Sequence, residues 1–405
     1  MDEELQQINT DYDRQLQSLD TKTKTIIIYF LLYVSKNVLQ GDFNAAKYKL
    51  LNTAISTLNA SFLALIQENI QLATKVSQQL IDVQLQSFKT EVERLLNAKK
   101  AEKTVKIAIL SSILVKLAES EKQRAIDSIM NKKWPDELKV IDRIELLGKK
   151  IKQITENTII QGKITGLSPD DLINQLRSRF IDGGIEQRAA LRLAVHTTNM
   201  VKEKTFAELA KKSNAIIGIH IMRGAGGSVK CQICPEHAGE VGGSGIIYLK
   251  EDGDLDIMAE MPPYHGRCLC YEVLIFKDVE TFIEDEEQKF ARQNILKGEY
   301  NLKINQGKQN RHIEGTREFK EYAEKMALKG DKPSILMIDA QGIIDKYSGS
   351  GRMIIQSPGR PPKESKQLDF ITGKYYNKVE NEYINTSRVL IIYAKTGAHV
   401  YPVKE

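Results

Sequence analysis

Cysteine is almost missing from this chain. There are four in 405 residues, and all four lie between Cys231 and Cys270. Outside that window no disulfide or thiolate metal site can brace the fold, so packing must hold it. Proline is absent from the first 134 residues, which contain a single glycine, Gly41. That excludes a turn-rich, all-β beginning. No apolar run is long: the longest, Ile26 to Val34, has nine residues, against roughly 20 for a bilayer-crossing helix. The opening MDEELQQIN is acidic and polar, where a secretory leader is basic and then apolar. The expectation is synthesis in a cytosol, with no membrane span. Net charge is small, at +5. Residues 301–405 nevertheless hold 18 Lys and Arg against 12 Asp and Glu, and the remainder 40 against 41, so the positive excess lies wholly in the last quarter. A basic segment of this kind suits a polyanionic partner, or an ordinary solvated surface.

What is present early is helix. Leu50, Leu51, Ala54, Leu58, Phe62 and Leu65 recur at three- and four-residue steps, the period of one helical face. Trp134-Pro135 closes this block. A further face follows, through Ile141, Ile144, Leu147, Ile151 and Ile154. Ser168-Pro169-Asp170-Asp171 is a helix start: the serine accepts from free N–H groups, proline fits the first turn, and the acids suit the dipole. Asp182-Gly183-Gly184 ends that helix, and another is expected from about Ile185 to Lys212. Strands are expected at Ile216–Met222, Ile246–Leu249 and Val273–Phe276, then a helix over about Val279–Leu296. From about Asn301 the pattern reads as short strands, turns and basic loops. Strands are expected at Ser334–Ile338, Met353–Ile355, Val389–Tyr393 and His399–Val403.

The cysteines occur as CQICPEHAG and PPYHGRCLC. Cys231 and Cys234 form a C-x-x-C knuckle. His265, Cys268 and Cys270 follow about thirty residues later, giving five candidate ligands for a structural zinc ion that takes four. Pairing as disulfides, or simple burial of reduced thiols, are the competing readings. His237 is read as a turn residue. Glu236 and Glu240 are the acids a catalytic zinc would use, but nothing singles them out.

The ordered residues Cys231, Cys234, Gly239, Pro262, Pro263, His265, Cys268 and Cys270 resemble the C-terminal half of the phage Mu F-like head morphogenesis proteins. The preceding helix, Arg188 to Leu209, is similar to that family's, although Val195-His196-Thr197 stands where the family often has Arg-Thr-Glu. The resemblance covers roughly residues 170–276. It implies a minor virion protein of a tailed phage or prophage, bound to the portal and head proteins during assembly and packaged in the head interior.

The basic segment gathers cations beside hydroxyls and histidines. KINQGKQNRHIEGT, from Lys303 to Thr316, holds Lys308, Arg311, His312 and Thr316; YAKTGAHVYPV, from Tyr393 to Val403, holds Lys395, Thr396 and His399. DKYSGSGR between them ends in Arg352. RNA cleavage without a metal needs a base for the 2′-OH proton, an acid for the leaving 5′-oxygen, and cations for the phosphorane. These residue types supply all three. The order KQ-x-[KR]H-I-x-GT, YSG-x-G, Y-x-KTG-x-H-x-x-P resembles the bacterial polymorphic toxin type 50 domain over roughly Ile304–Glu405. That domain is a predicted ribonuclease, and related toxin domains have the barnase–EndoU–colicin–RelE-like fold. Arg311, Ser350 and Ala394 stand where Lys, Thr and Ser are common. The resemblance implies His312, Thr316, Lys395, Thr396 and His399 as the catalytic set. Lys308, Arg311 and Arg352 would be the substrate contacts, with no cofactor.

The expected architecture is multidomain α+β. Residues 1–165 form a helical bundle or coiled region, 166–280 the Cys/His-containing unit, 281–300 a linker helix, and 301–405 a nuclease-like domain. The expected function is a portal-associated head protein carrying a ribonuclease effector, delivered into a target cell and matched by an immunity protein. Alternatives are a purely structural head protein with an inactive C-terminal domain, a virion protein that binds packaged DNA, and a zinc hydrolase.

Overall fold

The computed structural model describes residues 2–133, 136–182, 184–223, 246–253, 270–356 and 360–404. It is multidomain α+β, as expected, with two compact units: residues 1–89 with 112–277, and residues 90–111 with 278–405.

Helices build most of the first unit: α1 (Asp2–Asn37), α2 (Ala45–Ala98), α3 (Lys103–Ile113), α4 (Glu119–Met130), α5 (Val140–Ile164), α6 (Pro169–Phe180) and α7 (Ile185–Lys212), with α3 and the end of α2 counted largely in the second. By length and composition α2 is apolar enough to cross a membrane. Its apolar stripe, including Leu51, Leu58, Ile66 and Ile70, is buried in the core of the unit. The α6 start forms as its sequence predicts: Ser168 Oγ accepts from the Asp171 N–H at 3.2 Å, and the Asp171 carboxylate accepts from the Ser168 N–H at 3.2 Å. This reciprocal pairing satisfies two otherwise orphaned donors. Helix α7 is buried nearly all round, through Leu193, Thr197, Val201 and Phe206 among others, and packs against α1, α4, α5 and α6. A helix buried on every side shows no amphipathic period.

Strands β1 (Ile216–Arg223), β2 (Ile246–Leu249) and β3 (Cys270–Phe276) make an antiparallel sheet in the order β2-β1-β3. The Lys202 ammonium of α7 donates to both Glu272 oxygens on β3, at 2.9 and 3.0 Å, and to Glu203 Oε1 at 3.2 Å. Burial and the Glu272 charge push the Glu203 carboxyl well above the usual carboxylate range. A buried ion pair adds little net stability, but removing one partner strands the other in low dielectric. Lys202→Met therefore costs this unit about 3–5 kcal/mol in denaturant unfolding, and adding Glu272→Leu recovers much of it.

Beyond α3 and the end of α2, the second unit continues with α8 (Val279–Leu296), capped by Asp278, whose carboxylate accepts from the Thr281 N–H at 3.0 Å. There follow α9 (Gln306–Gln309), a 3₁₀ turn (Asn310–His312), α10 (Arg317–Ala327), β4 (Ile335–Leu336), α11 (Ala340–Tyr347), β5 (Arg352–Ile354), β6 (Lys363–Gln367), β7 (Gly373–Asn377), β8 (Glu382–Thr386), β9 (Arg388–Ile392) and β10 (His399–Pro402). Two sheets result, one four-stranded in the order β10-β9-β6-β5 and one three-stranded in the order β4-β7-β8. The expectation of strands, turns and loops after Asn301 missed α10 and α11.

In the four-stranded sheet Val400, Ile391, Glu364 and Met353 stand in register, and all are buried. Together with Ala291 and Ile295 of α8 and Ile343 and Ile344 of α11 the apolar residues form one core. Side chains alternate across a strand, so the neighbouring rows face the other way. Those are His399–Ile392–Lys363–Ile354 and Tyr401–Leu390–Ser365–Arg352. The sheet has a packed face and a second face on which His399, Tyr401, Lys363 and Arg352 stand among Ile392, Leu390, Ile354 and Ser365. Because Ile295 is 1% exposed in the core, Ile295→Ala is expected to cost about 2–5 kcal/mol, read as a lower denaturant midpoint for this unit.

Candidate active site

Two chain segments from opposite ends of the second unit are laced together to make the site. The Asn305 N–H donates to the Ala398 carbonyl at 2.8 Å, and the Ala398 N–H to the Lys303 carbonyl at 2.9 Å. Gly397 permits the approach: its φ is +118°, and a Cβ there would meet the Lys303 carbonyl oxygen at 2.8 Å. One helical turn later Gln309, 1% exposed, receives the Val400 N–H at Oε1 and donates from Nε2 to the Val400 carbonyl, both at 2.8 Å. This fixes α9 along β10, so the turn that follows α9 delivers His312 to the His399 and Tyr401 side of the sheet.

His312 stacks on Tyr401 with ring centroids 4.6 Å apart and planes within 11°. The His399 ring lies 6.3 Å from His312, nearly parallel. Tyr322 of α10 meets the edge of His312 at 5.9 Å. His312 Nδ1 is 3.2 Å from both the carbonyl oxygen and the hydroxyl of Ser334. Burial pulls the His312 imidazole down to about 4, partly offset by the Ser334 carbonyl. His399 is also lowered to about 4, by burial first and then by His312, Lys308, Arg311 and Lys363. Both rings are thus neutral at pH 7, and the cations that depress His399 mark where an anion would lie. The Arg311 guanidinium stands 5.8 Å from the Tyr322 ring centre.

His312, His399, Lys308 and Arg311, expected from sequence, are brought together. Arg352 shares the exposed face but sits on β5, three strands and about 14 Å across the sheet. Thr316 is the N-cap of α10. Its hydroxyl accepts from the Phe319 N–H at 3.2 Å and lies 2.6 and 2.9 Å from the Asn310 and Ile313 carbonyls, to which it can donate. That holds the loop behind His312. Lys395 and Thr396 are exposed on the turn before Gly397, where the Thr396 carbonyl accepts from Asn305 Nδ2 at 3.3 Å. Ser334, Tyr322, Tyr401 and Lys363 were not foreseen. Only Tyr401 carried a local signal: it stands two residues from His399 on an expected strand, hence on the same face.

Cys231, Cys234, His265 and Cys268 lie outside the described residues. Of Cys270 the backbone is described, opening β3 opposite Arg223. Among the described residues no cluster of His, Cys, Asp and Glu has the make-up of a metal site.

Residues 304–402 match the model of the family described as bacterial toxin 50. The match spans both histidines, α9 and β10, so the histidine pair lies within the stretch that is similar to a bacterial toxin domain. It does not reach residues 170–276, where a head morphogenesis domain was expected. No curated protein and no solved structure matches the chain.

The buried neutral histidines make stability depend on pH. His312 has a folded value of about 4 against about 6.5 unfolded, so the unfolded chain takes up its proton first as pH falls. The stability is complete above about 6.5 and is lost towards 4, by about 3 kcal/mol for this group. Denaturant unfolding at pH 7 and at pH 4 should show a smaller acid loss for His312→Asn than for the native chain.

Proposed function

We propose that the C-terminal domain is an endoribonuclease effector that cleaves RNA through its own side chains. The observation that carries this reading is the pair of near-parallel histidines 6.3 Å apart, with Lys308, Arg311 and Lys363 acting on one of them. A neutral imidazole is a base for a 2′-OH, a second imidazole can carry the proton for the leaving oxygen, and fixed cations stabilise a phosphorane. Tyr322 and Tyr401 add aromatic surface on which an unpaired base can stack. Assignment to a toxin family supports an effector role, with an immunity protein as the partner that protects the producing cell.

For the first 280 residues the proposal is a carrier. The ordered cysteine, proline and histidine motif between Cys231 and Cys270 supports a portal-associated head protein of a phage or prophage, braced by zinc or by disulfides at Cys231, Cys234, His265, Cys268 and Cys270. Such a protein would travel in the virion with packaged DNA and deliver the toxin domain to a target cell. Its retention in purified particles is the direct test.

The nuclease reading is tested with the full chain on total RNA and tRNA in EDTA. Native protein should cleave, and His312→Ala and His399→Ala should each lose about 10²–10⁴-fold. Failure of the native chain to cut either RNA sinks the reading and leaves a binding or structural domain. In that case, salt-dependent DNA retention would identify the nucleic-acid-binding alternative.

A further inference from the structure

We infer that the two histidines have fixed and different roles, with His312 the general base and His399 the general acid. The assignment rests on the ribonuclease reading and comes from the hydrogen bonds each ring makes.

His312 Nδ1 faces the Ser334 carbonyl oxygen at 3.2 Å, with the Ser334 hydroxyl at the same distance. A carbonyl oxygen only accepts, so a bond there requires the hydrogen on Nδ1; the hydroxyl can then accept as well. The opposite tautomer would set two lone pairs against each other. A neutral imidazole protonated at Nδ1 has its lone pair at Nε2. The stack on Tyr401, with planes within 11°, holds the ring at that orientation. His312 is therefore a base with its tautomer fixed, poised to take a proton.

His399 has no such tether. Its Nδ1 is buried and has no hydrogen-bond partner among the described residues. No acceptor holds a hydrogen on Nδ1, so nothing fixes this ring, as Ser334 fixes His312, with its lone pair at Nε2. The charged groups acting on it are Lys308 of α9, Arg311 of the following turn, Lys363 of β6 and His312 itself. A phosphate bound by those three cations places negative charge beside His399 and raises its proton affinity at the moment a proton donor is needed.

The step balances. The 2′-OH gives its proton to His312 Nε2 as the O2′–P bond forms. The P–O5′ bond breaks with its electron pair on O5′, which takes the proton from His399. The products are a 2′,3′-cyclic phosphate and a 5′-hydroxyl, and the two histidines have exchanged protonation states.

The test uses the full chain and a short RNA spanning a site that the native protein cuts, made with oxygen or with sulfur at the 5′-bridging position. A thiolate leaves without protonation, so loss of the acid is forgiven on the sulfur substrate and loss of the base is not. His399→Ala should fall about 10²–10⁴-fold on the oxygen substrate and return to within about tenfold of native on sulfur. His312→Ala should fall by similar factors on both. His399→Gln and His312→Asn repeat the comparison with polar side chains of closer volume. With native protein, the alkaline fall in kcat/KM should be present on oxygen and absent on sulfur, while the acid limb, set by His312 becoming protonated, should remain on both. Rescue of the His312 variants instead, or of neither pair, overturns the assignment. Native protein that cuts no RNA overturns the ribonuclease reading itself, a separate result.

Discussion

The histidine face depends on one side-chain amide. Gln309 presents to Val400 the same donor and acceptor that a neighbouring strand would present, and both bonds are 2.8 Å long. Strand β10 is the edge of its sheet, and an edge leaves N–H and C=O groups that need partners. Pairing with a glutamine satisfies them and fixes the position of α9. His312 is three residues beyond Gln309, and His399 is one residue before Val400. The distance between the two histidines is therefore set by this bond pair, together with the Asn305–Ala398–Lys303 lacing.

The first unit uses the same device. Gln84 of α2 accepts the Leu274 N–H at 2.7 Å and reaches the Glu272 carbonyl at 3.4 Å. Strand β3, which holds both residues, is also a sheet edge. There the amide orders the backbone that carries Glu272, the partner of buried Lys202. In both units a helix attaches to a sheet through a primary amide, and the group so positioned is an ionisable side chain that must not wander. An apolar contact alone would leave the edge groups unpaired and permit sliding along the strand.

Local signals carried much of the fold. Capping and glycine punctuation marked α6 and the start of α7, α8 was expected at its observed bounds, and apolar runs marked β1, β2, β9 and β10. The missed elements are those whose stability is not local. Strand β6 reads KESKQ, with no apolar residue to alternate, and β7 and β8 read GKYYN and EYINT. Helix α10 buries no residue completely, and it lay inside a segment read as loops. In the site, His312, His399, Lys308 and Arg311 were legible because their motifs sit on the segments that Gln309 and Gly397 join. Thr316, Lys395 and Thr396 belong to the same motifs; Thr316 also caps α10, and the other two stand on the turn before Gly397. Ser334 and Lys363 come from other segments, and only the folded chain brings them near.

Strand β6 shows how narrowly the site is specified. Lys363 faces the histidines, while the next residue, Glu364, is fully buried on the opposite face. There its carboxylate accepts from the N–H groups of Gly349 and Gly351 and from the Tyr393 hydroxyl. The Tyr-Ser-Gly-Ser-Gly turn is thus organised by a carboxylate beneath the sheet, and the histidine face carries an ammonium above it. A slip of one residue would exchange them. It would put a carboxylate beside His399, where it would repel a phosphate, and a lysine into an apolar core without its acceptors. Both faces penalise the same error, so a strand with almost no hydrophobic pattern still has one register, and that register places a cation beside the histidine pair.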